Sequence, residues 1–234
     1  MLGQLLEGLA QALPGQCAVC HAWPAQPVCE ACVARFAQPQ PRCRRCALPM
    51  TVDNGECGRC LRDDPPLHAC RAAVSYEFPW TALIARFKFD GHASWARTFA
   101  TLMRSAPWVE PALGRAAMVV PMPLSNRRLG ERGFNQAQLL AACLAPRKIA
   151  PQLLLRVRHS APQTTLDRKD RLRNVKGAFA VDPDQIAKVK AAEIVLVDDV
   201  MTSGASIVTA AATLRQAGAA RVTALVLART DAPN

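Results

Sequence analysis

The chain has 234 residues, half of them hydrophobic, and a formal net charge of +11. That length holds one ordinary domain and a small one, with enough apolar material for a real core. No run of about eighteen apolar residues occurs, which excludes a membrane-spanning helix and leaves a cytoplasmic location as the expectation. The charge is unevenly spread: residues 1–70 carry six basic and six acidic side chains, whereas residues 127–176 carry twelve Lys/Arg against three Asp/Glu. Positive charge concentrated in one segment points to a polyanionic ligand, either a diphosphate or a nucleic acid.

Residues 1–16 place Leu2, Leu5, Leu6, Leu9 and Leu13 at helical spacing, which predicts a short docking helix. The segment lacks a basic start and a compact apolar run, so it reads poorly as a signal peptide. Residues 17–62 hold four Cys-x-x-Cys pairs: Cys17/Cys20, Cys29/Cys32, Cys43/Cys46 and Cys57/Cys60. Each pair can aim two sulfurs at one metal, and two pairs complete a tetrahedral thiolate site, so eight cysteines suit two structural Zn²⁺ ions. Adjacent pairing gives Cys17, Cys20, Cys29 and Cys32 for one ion and Cys43, Cys46, Cys57 and Cys60 for the other. This is the expected arrangement, because each half is then a compact ribbon; a cross-braced pairing has the same composition. Disulfides suit an exported chain, and four successive pairs in a Pro/Arg-rich stretch argue against a redox role. The segment has few large aliphatics and should need metal to fold. Cys70 and Cys143 are expected as buried or half-buried free thiols.

Residues 63–70, with Arg62-Asp63-Asp64-Pro65-Pro66 at their start, read as a linker to a domain over 71–234. In that domain strands are predicted at 69–78, 116–120, 153–157, 194–197 and 222–227. Helices are predicted at 80–89, 93–103, 134–144 and from the Thr202–Ser206 turn through Ile207 to Gln216. Such alternation implies an α/β fold with a mostly parallel sheet and flanking helices, whose ligands gather beyond the carboxyl ends of the strands.

Four stretches converge on that edge. Phe87-Lys88-Phe89-Asp90-Gly91 ends a helix with a cation, Lys88, that faces either the site or solvent. Ser125, Asn126, Arg127 and Arg128 follow Pro121-Met122-Pro123 in a basic turn that suits a diphosphate, since guanidinium forks and amides address its oxygens together. Residues 154–175 are strongly basic and poorly periodic, as a lid over an anionic substrate would be, and carry Arg158, Gln163, Arg168 and Arg171. Ile194-Val195-Leu196-Val197 is a buried-strand run that leads into Asp198-Asp199 and then Thr202-Ser203-Gly204-Ala205-Ser206. Two carboxylates can accept hydrogen bonds from vicinal ribose hydroxyls, and small residues opening a helix can cradle a phosphate. The stretch lacks the Gly-Lys-Ser/Thr of a Walker A loop and the three spaced glycines of a dinucleotide fingerprint.

The run from Ile194 to Ser206 resembles the phosphoribosyl-diphosphate signature of type I phosphoribosyltransferases. Together with the cysteine array, Phe87–Gly91, Pro121-Met122-Pro123…Arg132-Gly133-Phe134-Asn135-Gln136 and Gln163-Thr164…Arg173-Asn174-Val175, it makes nearly the whole chain resemble the ComF family. The resemblance implies a type I phosphoribosyltransferase fold behind a double zinc ribbon, and an association with DNA uptake during natural transformation. The expected chemistry is Mg²⁺-dependent phosphoribosyl transfer. Asp198 and Asp199 would hold the ribose hydroxyls and Thr202 to Ser206 the 5′-phosphate. Ser125 to Arg128 would hold the diphosphate, with Lys88 nearby. Arg158, Gln163, Arg168 and Arg171 would neutralise the leaving group. The rival reading is a non-catalytic module that handles single-stranded DNA or acts as an adaptor. Sparse aromatics in 127–176 count against base stacking there. The neutral ribbons are expected to contact DNA-uptake or recombination proteins.

Overall fold

The computed structural model describes residues 15–51, 55–89, 93–157 and 177–231. Most of the predicted N-terminal helix, Asp90 and Gly91, and the lid residues Arg158, Gln163, Arg168 and Arg171 lie outside them. The chain divides into two compact units, Met1–Gln38 and Pro39–Asn234.

Both units contain the same local device. In the first, the Cys17–Cys20 knuckle is closed by the Cys17 amide on the Ala22 carbonyl and by the His21 amide on the Cys17 carbonyl, each at 2.9 Å. Helix α1 (Glu30–Phe36) then starts directly after Cys29, its N-cap, and carries Cys32 in its first turn. In the second unit the Cys43 amide donates to Leu48 and the Ala47 amide to Cys43, both at 2.8 Å. Helix α2 (Gly58–Asp63) is capped by Cys57 and carries Cys60. A Cys-x-x-Cys astride a helix start puts both sulfurs on one side, which the expected ribbons require.

The body of the second unit is a four-stranded parallel sheet in the order β1-β6-β5-β2. Strand β1 (Ala69–Ser75) leads to α3 (Trp80–Phe89), α4 (Trp95–Ser105) and α5 (Val109–Arg115). Then come β2 (Met118–Pro121), α6 (Asn126–Arg132) and α7 (Gln136–Leu144). A separate antiparallel ribbon pairs β3 (Leu154–Arg156) with β4 (Phe179–Val181), and α8 (Ile186–Val189) follows. Strand β5 (Glu193–Met201), α9 (Ala205–Gln216) and β6 (Arg221–Arg229) complete the fold. The central strands are apolar on both faces, as parallel strands covered on both sides must be. Ile194 and Leu196 join a buried cluster with Ile207, Ala210, Ala211 and Leu214 of α9. Val195 and Val197, also buried, alternate to the other face.

Several expectations change. The array read as one module of residues 17–62 is shared between the units. Cys43, Cys46 and Cys60 lie in the same core cluster as Leu67, Leu196, Val222 and Val226, so the second cluster belongs to the sheet's unit. The predicted linker 63–70 contributes Leu67, Ala69 and Cys70 to that interior. The basic turn at Ser125–Arg128 is the start of a helix, capped by Ser125 and closed by Gly133 at φ +76°. No residue of α6 is buried, so hydrophobic periodicity could not reveal it. The 153–157 stretch pairs in the antiparallel ribbon, outside the parallel sheet. Cys143 is exposed, whereas Cys70 is buried as expected. Among the described residues, no helix is long and apolar enough to cross a membrane.

Candidate functional site

Strand β5 does not release the chain before its acidic pair. Asp198 pairs with Val226 and Val200 with Ala228, so both carboxylates sit within the ladder near its carboxyl end. Alternation along the strand sends the two side chains to opposite sides of the sheet edge. The Asp199 carboxylate, 8% exposed, meets Lys88 Nζ from the last turn of α3 at 3.1 Å. Its other oxygen accepts from the Val200 amide at 2.6 Å, and Asp198 Oδ1 accepts from the Asp199 amide at 2.9 Å. Burial, reinforced by the neighbouring Asp199 charge, pushes the Asp198 carboxyl up to about 7, against the pull of that amide, Lys88 and Arg128.

Beyond Met201 the chain turns through Thr202-Ser203-Gly204 into α9. Gly204 is the N-cap at φ +81°, and Ser203 Oγ accepts from the Ala205 amide at 3.3 Å. A Cβ on Gly204 would meet only the flexible tip of Met201, Cε, which can swing aside, so it is the left-handed backbone conformation that demands glycine here. Gly204→Ala should therefore cost about 2 kcal/mol of stability in denaturant unfolding. Gly130→Ala, on exposed α6 with open space around it, should be neutral or stabilising by up to about 1 kcal/mol.

Carboxylates and turn open into one cavity of about 320 Å³. Its lining includes Asp198, Asp199, Thr202 to Ser206, Lys88 and Arg128, which the sequence pointed to. It also includes Arg132, Asn135, Gln136 and Arg156, which lie in the stretches the sequence pointed to but had no individual role assigned there. Arg128 and Arg132 are four apart on α6 and so share a face, a signal that appears only once α6 is known to be a helix. Arg132 Nη1 donates to Gln136 Oε1 at 3.0 Å, and Asn135 caps α7 while Nδ2 donates to the Met122 carbonyl at 3.0 Å. Ser125 caps α6, its hydroxyl oxygen accepting from the Arg128 amide at 3.4 Å. Ser125, Asn126 and Arg127 do not line the cavity; exposed Arg127 instead faces Glu131 at 3.7 Å. The β3–β4 ribbon brings Val157 and Ala178 together through an amide-to-carbonyl bond of 2.9 Å, and Arg156 at its end reaches the cavity. Among the described lining residues four cations therefore outnumber two carboxylates, one of which already has a partner. Dipole, amides and guanidinium groups together make the cavity an anion site with an acidic floor.

The cysteines gather as adjacent pairs. Cys17, Cys20, Cys29 and Cys32 form one group and Cys43, Cys46, Cys57 and Cys60 the other, with the sulfurs of each group within 4.8 Å of one another. Burial and the neighbouring sulfurs push the Cys32 thiol up to about 12, and burial with its sulfur neighbours likewise raises Cys60. Four thiolates at this range repel strongly unless a cation sits among them. Main-chain amides point at two of the sulfurs, Cys29 N at Cys17 Sγ (3.4 Å) and Cys57 N at Cys43 Sγ (3.2 Å), as thiolate ligands favour. Both donor sets fit a structural zinc, closed to substrate.

No family model matches the chain. It is 32% identical over 227 residues to the DNA utilization protein YhgH of Salmonella typhimurium, covering 93% of this chain and 98% of that one. It is 33% identical over 199 residues to competence protein F of Haemophilus influenzae, covering 81% and 85% respectively. Among solved structures, the allosteric regulatory enzyme of purine biosynthesis aligns at 18% identity with a TM-score of 0.37, over 58% of this chain and 25% of that chain.

Proposed function

The chain belongs to the ComF family, and we propose that it binds phosphoribosyl diphosphate with Mg²⁺ in the Asp198–Asp199 cavity and serves DNA uptake or use, as its relatives' names indicate for them. The single observation that carries this reading is the convergence of an acidic strand end and a small-residue helix start in one cation-lined cavity. Asp198 and Asp199 accept from the ribose hydroxyls. The turn from Thr202 to Ser206 holds the 5′-phosphate. Arg128, Arg132 and Lys88 face the diphosphate, and Arg158, Gln163, Arg168 and Arg171 complete its neutralisation. For Mg²⁺ the chain offers Asp198 as the cavity's carboxylate without a lysine on it, which matches a cation held mainly by ligand oxygens. When bound, Mg²⁺ neutralises charge on the diphosphate. In a transfer reaction the bond from the ribosyl anomeric carbon to diphosphate breaks and one to a nucleophile forms, with positioning and charge supplying the rate.

Calorimetric titration with phosphoribosyl diphosphate and Mg²⁺ tests this reading. Saturable one-site binding is expected, tightening as pH rises through about 7, because the ionised Asp198 carboxylate is a stronger acceptor for the ribose hydroxyls and a better neighbour for Mg²⁺ than the neutral acid. No heat of binding across pH 6–8 would rule the reading out.

A second reading, a module that grips single-stranded DNA without transfer, is favoured by one feature. Phe89, 70% exposed, lies under the Arg132 guanidinium at 5.1 Å, next to the cavity. An aromatic–Arg pair of this kind is a platform for a base. Under this reading affinity for a short DNA strand falls steeply with salt, whereas one-site binding of the small ligand falls shallowly.

A further inference from the structure

Arg229, at the end of β6, is 1% exposed in the interior of the second unit. Among the described residues its hydrogen bonds go to main-chain carbonyls and to Thr230, with no carboxylate. Nε donates to the Cys46 carbonyl at 2.9 Å, and Nη1 donates to the carbonyls of Met201 at 3.1 Å and Thr202 at 2.6 Å. A buried guanidinium without an acidic partner is costly unless negative charge lies close by. Here that charge is supplied by the Cys43/Cys46/Cys57/Cys60 group. Four thiolates around one divalent cation leave two negative charges uncompensated, and Arg229 holds the carbonyl of one of those four cysteines. A second link runs in parallel. The Cys70 amide donates to the Arg44 carbonyl, inside the Cys43–Cys46 knuckle, at 2.8 Å. The Cys70 thiol donates to Met201 Sδ at 3.5 Å, and Met201 Cε fills the space beneath Gly204. Both links join the knuckle to residues 201–204, where the anion-binding turn begins.

We propose that the second four-cysteine metal site is a structural part of the phosphate-binding turn, with Arg229 as the positioning residue that locks the Cys43–Cys46 knuckle to Met201 and Thr202. It rests on the reading of Thr202–Ser206 as a phosphate cradle. Loss of this metal loosens the turn and weakens anion binding without any change in a group that touches the ligand. The first cluster, Cys17/Cys20/Cys29/Cys32, belongs to the other compact unit, Met1–Gln38.

The experiment uses the full chain with both metals loaded, as wild type, Arg229→Lys and Arg229→Met. It follows zinc release to a chelator, with thiol labelling and mass spectrometry to assign each zinc, together with amide hydrogen exchange of 202–206 and affinity for phosphoribosyl diphosphate. In Arg229→Met, release from the Cys43/Cys46/Cys57/Cys60 site and exchange at 202–206 should both accelerate at least about tenfold (about 1.4 kcal/mol). Release from the first cluster should be unchanged, affinity should fall by a similar factor, and Arg229→Lys should recover part of each. Unchanged release and exchange in a folded Arg229→Met protein would overturn the proposal. Should that variant not fold, wild type decides: stripping the second zinc must accelerate exchange at 202–206 ahead of the sheet, and equal exchange before and after stripping overturns it. If wild type binds no phosphoribosyl diphosphate, the ligand assignment fails, while release and exchange still judge the mechanical link.

Discussion

Cys60→Ser should destabilise the second unit by about 4 kcal/mol or more, lowering its melting temperature by about 10 °C or more, whereas Cys32→Ser should leave that unit's transition in place. Both substitutions remove one of four thiolates. The difference comes from where each cluster sits. Cys43, Cys46 and Cys60 are buried among Leu67, Leu196, Val222 and Val226, so a missing metal there leaves unneutralised polar atoms and a packing defect in the main core. Cys32 lies in the other compact unit, Met1–Gln38. Scanning calorimetry with and without chelator checks the prediction, and equal small shifts for the two variants would show that the second cluster is peripheral.

Asp199→Asn should weaken binding of phosphoribosyl diphosphate about 100-fold, or about 2.7 kcal/mol. The change keeps shape but removes a charged acceptor and leaves Lys88, its partner at 3.1 Å, without that carboxylate. A cycle with Lys88→Met separates the two effects. If the pair served only the fold, single and double variants would shift stability and leave affinity alone. Asp198→Asn makes the contrast. With its carboxyl raised to about 7, against about 4 in an unfolded chain, the folded state retains a proton that the unfolded state has lost. Between roughly pH 4 and 7 the native state therefore binds more protons, so this residue's contribution to stability declines as pH rises through that window. At pH 8 Asp198→Asn should accordingly stabilise the ligand-free protein while binding the ligand more weakly, the usual mark of a residue kept for binding.

Much of this was legible in the sequence, for reasons that differ by element. Ile194–Val197 announced a central strand because a short aliphatic run rich in β-branched residues, ended by an acidic pair and a small-residue turn, suits a strand covered on both sides. The run could not show that β5 continues to Met201, since that depends on β6 being long enough to pair through Ala228 and Arg229. The eight cysteines pointed by spacing to two four-sulfur clusters, each able to hold a metal ion. Their division between two units was hidden, because it follows from long-range packing of Cys43 and Cys46 onto the sheet. Helix α6 was read as a turn because its residues are all at least partly exposed and its arginines carry no apolar stripe. With it went the recognition that Arg128 and Arg132 share one helix face toward the cavity. Arg229 looked like one more basic residue at a strand end. Only its burial between Cys46 and Thr202 distinguishes it.

The most direct test of the site is the number of protons exchanged when phosphoribosyl diphosphate and Mg²⁺ bind near pH 6.5, measured by calorimetry in buffers of different ionisation enthalpy. Wild type should release roughly three-quarters of a proton more than Asp198→Asn at protein concentrations high enough to saturate both, because that fraction of Asp198 is protonated at this pH and ionises when the ribose and Mg²⁺ bind. The comparison cancels the ligand's own ionisation. A wild type that shows no binding, or that releases no more than Asp198→Asn when both are saturated, would contradict the assignment of this cavity to the ribose of a phosphoribosyl ligand.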